Sequence, residues 1–523
     1  MKQRLRSALI PTVFLPLMLL SSCIIGTTPA AVTSGEHASS SPSPTTADWS
    51  SGVKTDYTYL TPYKPPAEKY TRLKDGALPA LVPSKGYGTL LPYVGETMHS
   101  NDGYSVIRKC GLVTMDGMIV TDPVYTDIRQ GNFYNYAAYT GEDMPVYDLV
   151  MRSEQYDEDR PWESESHAAC ALDGSWVTPF AYVNVLCTDK VLLLVRDYEN
   201  NNIDVMSYSG KLLYNTKALS FYGDISEASA YAFSSGYGEG LIAVPLRDGR
   251  SVIFDAMTGQ VEAYVDYAQC GPFSEGYALV MADGLYGFID RRFKLVIPPQ
   301  FNWVDIFYNG KCIVGYPDSR YAIIDTDGNV LLENDDYISR WEADLYGLYD
   351  DGGNVTYYDI NLKKLAEGTA MVTPIYGGWF VFPEGDGVSI IKDGEKYTIN
   401  GISGVNSIEG NLAAVYDSSG SLWKEGLMTL QGDIILPPAE NLGIAVVGSE
   451  STGNVFAIVS TYTKDQTFEV YNAEGKILFS GSGYATYLPE YDLFKITDVF
   501  SFAYVDSNGG DVFRLSLLKY LPD

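Results

Sequence analysis

Short runs of β-branched and aromatic residues, broken by Gly, Asp, Asn and Pro, recur from about Tyr104 to Phe513, and no window holds a sustained 3.6-residue apolar period. This pattern predicts strands throughout and an all-β fold. Its clearest instance is Gly271–Phe307, GPFSEGYALVMADGLYGFIDRRFKLVIPPQFNWVDIF. Strands are expected at Tyr277–Met281 and Leu285–Ile289, joined at Asp283-Gly284, where a tight turn needs positive φ. A third strand is expected at Lys294–Ile297, halted by Pro298-Pro299 because proline supplies no backbone donor.

Shifting this stretch by roughly 35 residues brings like onto like, the signature of a repeat architecture. Glu239-Gly240 falls on Glu275-Gly276, and Asp248-Gly249 on Asp283-Gly284, Asp318-Ser319 and Gly352-Gly353. The end of the following strand gives Asp255, Asp290, Asp325, Asp359 and Asp506, with Thr114, Thr429, Ser207 or Asn472 in sister units. All of these side chains accept a hydrogen bond from a backbone N–H a few residues on, so the ladder reads as turn capping. Asp325-Thr326-Asp327-Gly328-Asn329 resembles the start of a calcium loop but lacks the later carboxylate, and no metal site is expected.

The gap from Gly117 to Gly174 exceeds one period, and an acidic insertion, Ser153–Glu165, between strands at Val146–Met151 and His167–Leu172 accounts for it. About eleven units then follow, each a three- or four-stranded antiparallel meander. A propeller-like closed array is the favoured packing because closure removes exposed edges. Eleven exceeds the usual four to eight blades, so an open β-solenoid or two smaller arrays are the alternatives.

The pattern EGYALV…LYGFID…LVIPPQF resembles the WG-type β repeat of bacterial surface and secreted proteins, with Tyr286-Gly287 in the place of the Trp-Gly pair. Gly111–Tyr125 and Gly426–Pro438 align with the same unit. The resemblance implies a repeat scaffold and carries no catalytic residues or cofactor with it.

Ahead of the repeats, Lys2, Arg4 and Arg6 precede an apolar run from Ala8 to Leu20 and then Leu20-Ser21-Ser22-Cys23. That order resembles a bacterial lipoprotein signal: residues 1–22 are expected to be removed and Cys23 to be lipidated. Residues 23–61, rich in Ser, Thr and Pro, form a tether that cannot bury a core. Residues 62–103 read as a lead-in and 104–523 as the repeat domain. The protein is thus expected on the extracytoplasmic face of a bacterial membrane, held there only through Cys23.

Formal net charge is −30, which opposes phosphate backbones and argues against nucleic acid. The cysteines after Cys23 are sparse, irregularly spaced and expected to be buried thiols.

Chemistry is thin. His37 lies in the tether, leaving His99 and His167, and neither HExxH nor GxSxG occurs. Gly236, Gly238 and Gly240 form a GxGxG with no helix after it, which suits a loop better than a nucleotide site. Among 66 acidic residues a glycosidase-type carboxylate pair is the enzymatic alternative. The 42 Tyr and 7 Trp serve mostly as half-buried strand residues. Tyr156 and Trp162, in the insertion, are the candidate binding residues, whereas Trp303, Trp341 and Trp379 are expected to pack between units. The leading expectation is a non-catalytic surface scaffold binding a protein or glycan, without cofactor. A carboxylate-dependent glycan hydrolase and a structural envelope spacer are the alternatives.

Overall fold

Hairpins made from these runs pair most strands with their neighbours in sequence, and among the described residues the result is eleven mainly antiparallel sheets. The computed structural model describes residues 69, 71–72 and 80–517, less 85, 100–105, 131, 134–145, 153–164, 227–231, 342–344, 370–372, 376–378, 386, 393–394, 421, 450, 464–465 and 499–500. Blades 4 to 11 are four-stranded meanders spanning 237–265, 269–301, 303–334, 338–369, 373–400, 404–439, 442–482 and 484–516. Blade 2 combines Asp127–Gln130, Val146–Arg152 and Glu165–Ala171. Blade 3 runs from Asn184 to Asn215 and takes Asn132–Phe133 as an extra strand, parallel to Asn184–Cys187.

Blade 5 shows how the sequence writes one unit. Its strands are Gln269–Ser274, Tyr277–Ala282, Leu285–Asp290 and Leu295–Phe301. Two-residue turns at Glu275-Gly276 and Asp283-Gly284 have positive φ at both positions, +51° and +84°, then +52° and +77°, the twist that matches paired strands. Between the third and fourth strands, Asp290 Oδ1 accepts from the N–H groups of Arg292 (2.9 Å) and Lys294 (3.0 Å). Asp325, Asp359, Asn472 and Asp506 do the same in their own blades, and the Thr429 hydroxyl accepts from Asp433 N–H. The expected capping ladder is present.

Pro298-Pro299 do not halt a strand. The fourth strand runs through them to Phe301, and Ile434–Ala439 likewise runs through Pro437-Pro438. As the outermost strand of its blade it has a free edge, where missing donors cost nothing. The pairing shifts register between Phe288↔Ile297 and Tyr286↔Phe301 to accommodate the bulge. Gly287 lies opposite that bulge, where a Cβ would come within 2.6 Å of Pro299 N. The glycine of the Trp-Gly position thus has a steric cause.

Neighbouring sheets pack face to face on buried apolar side chains. Phe288, Ile297, Phe307, Cys312 and Ile324 fill the seam between blades 5 and 6. Similar seams follow from blade 2 to blade 3 and onward to blade 11. Polar bonds join the seams: Glu239 accepts from Gly276 N–H (3.1 Å), and Glu275 accepts from Asn309 N–H (2.6 Å) and Gly310 N–H (2.7 Å). A first-strand residue of blade 4, Gly238, abuts the backbone of Phe273 in the first strand of blade 5.

The series closes on itself. One apolar cluster joins blade 11, through Phe502, Tyr504 and Phe513, to blade 1, through Leu91, Tyr93 and Leu112, and on to Tyr147 and Leu149 of blade 2. The Tyr504 hydroxyl donates to the carbonyl of Pro92. At the rim, Lys69 and Arg514 exchange both backbone hydrogen bonds at 2.8 Å, and Thr71–Arg72 pair with Met118–Ile119 of blade 1. The arrangement is therefore one propeller-like ring of eleven blades, neither an open solenoid nor two arrays. Sheets packed about 10 Å apart give a ring roughly 35 Å across at its packing midline. Half of a four-stranded sheet reaches only about 7 Å inward from there, so the first strands stay apart across the axis.

The ring begins before the boundary read from the sequence. Leu90–His99, inside the supposed lead-in 62–103, is a full strand of blade 1. Cys110, Cys170, Cys187, Cys270 and Cys312 are buried free thiols.

Candidate functional site

In each antiparallel meander the turn between second and third strands lies at the opposite end of the blade from the turn between first and second. The longest second-to-third connection is the insertion joining Val146–Arg152 to Glu165–Ala171. Its residues 153–164, and with them Tyr156 and Trp162, lie outside the described residues, as does Cys23. Its base is described, and it carries a buried cluster of charged side chains.

Strand alternation places Asp127 and Arg129 of the first strand, Asp148 and Arg152 of the second, and Glu165 and His167 of the third on one face of blade 2. The opposite face carries Ile128, Tyr147, Leu149, Ala168 and Cys170 into the apolar core shared with blade 1. The charged face therefore looks toward blade 3. His167 Nδ1 lies 2.9 Å from both oxygens of Asp148, and its Nε2 lies 3.6 Å from Glu165 Oε2. Glu165 Oε1 accepts from Arg152 Nε at 2.6 Å, and Arg129 Nε donates to Asp127 Oδ2 at 2.7 Å. Asp148 and His167 are each only 5 % exposed.

Burial by itself would lower the His167 pKa, but its hydrogen bonds to Asp148 and Glu165 override that and raise it to about 9. Burial would likewise raise the Glu165 carboxyl, and the bonds from His167 and Arg152 hold it down at about 2. The network thus sets three basic side chains, Arg129, Arg152 and His167, against three acidic ones, Asp127, Asp148 and Glu165. A second charged group stands across the seam on blade 3, where Asp204 accepts from Arg196 Nε (2.8 Å) and Tyr182 OH (3.1 Å). An imidazolium held by two carboxylates cannot act as a base at neutral pH, and Glu165 is driven the wrong way for a general acid. What the group can do is fix both arms of the insertion.

Exposed aromatics stand elsewhere on the ring. In blade 9 the second and third strands pair Asp417 with Lys424, and the loop between them ends on Trp423, which is 51 % exposed. The Trp423 ring stacks on Tyr416, with centroids 4.2 Å apart and planes 15° apart. Its Nε1–H donates to Glu425 Oε1 (3.0 Å), while Glu425 Oε2 accepts from Ile444 N–H (2.7 Å) in blade 10. Tyr462 opens the corresponding loop of blade 10 and is 59 % exposed, covering Gly443. Trp303 is exposed rather than packed between blades, 6.3 Å from Tyr321. Trp379 is partly buried beside Tyr397.

Sequence reasoning named the insertion but missed its base. The available signal was Asp148 at an inward position of the apolar strand Val146–Arg152, facing one of the few histidines. Trp423 had no such signal, since its partner Tyr416 is fixed only by hairpin register.

Among known proteins, the family described as "WG containing repeat" matches residues 258–286 and 286–315, so the chain carries WG-type repeats. The first match starts just before the outer strand of blade 4 and ends in the third strand of blade 5, and the second runs from there to the second strand of blade 6, so the sequence unit is offset from the structural one. No curated protein matches the chain. Solved structures that resemble it include a eukaryotic initiation factor, at 12 % identity and TM-score 0.27 over 53 % of this chain and 85 % of that one. Another is BamB from Moraxella catarrhalis, at 12 % identity and TM-score 0.22 over 62 % of this chain and 94 % of that one.

Proposed function

We propose that this protein is a non-catalytic binding scaffold, lipid-anchored through Cys23 on the extracytoplasmic face of a bacterial membrane, whose partner is a protein or glycan of that surface. The observation that carries the reading is the buried charge network at the base of residues 153–164. It holds the ends of a long loop rigidly on a closed ring, the arrangement in which loops bind. The sequence features at Lys2–Cys23 support the anchor, and a net charge of −30 disfavours nucleic acid.

Two measurements test it. Replacing Cys23 with alanine should move the protein from the membrane to the soluble fraction without changing its melting temperature. Envelope polysaccharide or envelope protein fractions should raise that temperature by several degrees, as mass action requires of a ligand that binds only the folded state. A membrane-bound Cys23→Ala variant contradicts the anchor. A melting temperature indifferent to both fractions favours the structural spacer instead.

A further inference from the structure

We infer that Trp423, Tyr416 and Glu425 of blade 9, with Tyr462 of blade 10, form a second binding site for a neutral pyranose oligosaccharide. This rests on the scaffold reading but concerns a different place on the ring, remote in sequence from the insertion.

Packing accounts for only part of Trp423, through its stack on Tyr416. Half of its surface faces solvent, although burying a tryptophan is among the largest stabilisations available to a chain. Yet its orientation is fixed twice, by the near-parallel stack on Tyr416 and by the bond from its indole N–H to Glu425. Glu425 is itself anchored on Ile444 N–H of the next blade, so the platform is tied to two blades at once. An exposed aromatic face with its rotamer already fixed is the pattern of a recognition anchor, because little side-chain entropy remains to be lost on binding.

The chemistry selects the ligand. The negative face of an aromatic ring attracts the polarised C–H groups on one side of a pyranose, and a single flat platform suits a flat sugar ring. Glu425 uses one lone pair of each oxygen and keeps acceptor capacity for a sugar hydroxyl. Tyr462, at the adjoining loop, adds a second exposed ring. Anionic polymers are opposed by the charge of −30. A cationic ammonium is the competing ligand, favoured by the Glu425 carboxylate but not by the single plane that the Trp423–Tyr416 stack offers.

Isothermal titration of the whole chain with cellopentaose, chitopentaose and choline tests the site. Saturable binding of at least one pentasaccharide is expected. Trp423→Ala should weaken it about tenfold or more, as loss of a central aromatic anchor does. Tyr462→Ala should weaken it less, and Trp303→Ala should leave it unchanged. Because Trp423 and Tyr462 are exposed, both variants should keep the parent melting temperature, which separates lost binding from lost folding. Binding of choline alone, no saturable binding by either pentasaccharide, or equal affinity in Trp423→Ala would overturn the proposal. An envelope protein fraction that still raises the melting temperature in that case would leave the scaffold reading standing.

Discussion

Replacing Asp148 with alanine is expected to destabilise the ring by about 3 kcal/mol or more, because removing one partner of a buried ion pair leaves the other uncompensated. His167 makes its shortest contacts with Asp148, at 2.9 Å, and keeps only the longer 3.6 Å approach to Glu165 once the carboxylate is gone. The loss should depend on pH. His167 in the folded protein titrates near 9, above its ordinary 6.5, so its stabilisation is complete below pH 6.5 and fades as pH rises through 9. Glu165 titrates near 2, below its ordinary 4.5, so its contribution stands above pH 4.5 and is lost as pH falls through 2. Denaturant unfolding of the parent should therefore show a loss of stability between pH 6.5 and 9 that is much smaller in Asp148→Ala. Equal alkaline slopes in the two proteins would mean that the His167–Asp148 pair is not the source.

Gly238→Ala should cost about 3 kcal/mol, at the upper end of what overpacking does. A Cβ there would sit 2.5 Å from Phe273 N, and the obstacle is the backbone of the neighbouring blade rather than a side chain that could turn away. Gly223→Ala is the control, since nothing lies within 4 Å of its Cβ position, and it should change stability by no more than about 0.5 kcal/mol. Unfolding midpoints in urea measure both. A Gly238→Ala protein as stable as the control would place the first strands of blades 4 and 5 further apart than described.

Much of the ring was legible in the sequence because its rules are local. Two-residue turns need positive φ, and the Asp and Thr caps reach only a few residues along the chain, so spacing alone gave the number of units and the all-β class. The prolines misled for a physical reason. Their missing donors would end an inner strand, but each pair lies on an outermost strand whose edge has no partner to lose. Gly111–Tyr125 marked blade 1 in the sequence, but its strand Leu90–His99 was hidden because nothing there repeats the unit, and its edge strand Thr71–Arg72 comes from far upstream. The charge network was hidden because Asp148, Glu165 and His167 meet only through cross-strand register. Trp423 looked like one more strand aromatic until Tyr416 and Glu425 were seen beside it.

Closure of eleven blades into one ring is the claim on which the rest depends, and it is decided where the two ends of the array meet. Lys69 and Arg514 exchange both backbone hydrogen bonds, a pairing that holds Cα atoms about 5.5 Å apart, within the range that a disulfide spans. The direct test is the Lys69→Cys, Arg514→Cys double variant, made with Cys23→Ala and analysed by non-reducing electrophoresis. The remaining native cysteines are buried and do not compete. A closed ring predicts an intramolecular cross-link, seen as a faster-migrating monomer that reverts on reduction. Free thiols at both positions, or cross-links only between molecules, would show that the ring is open.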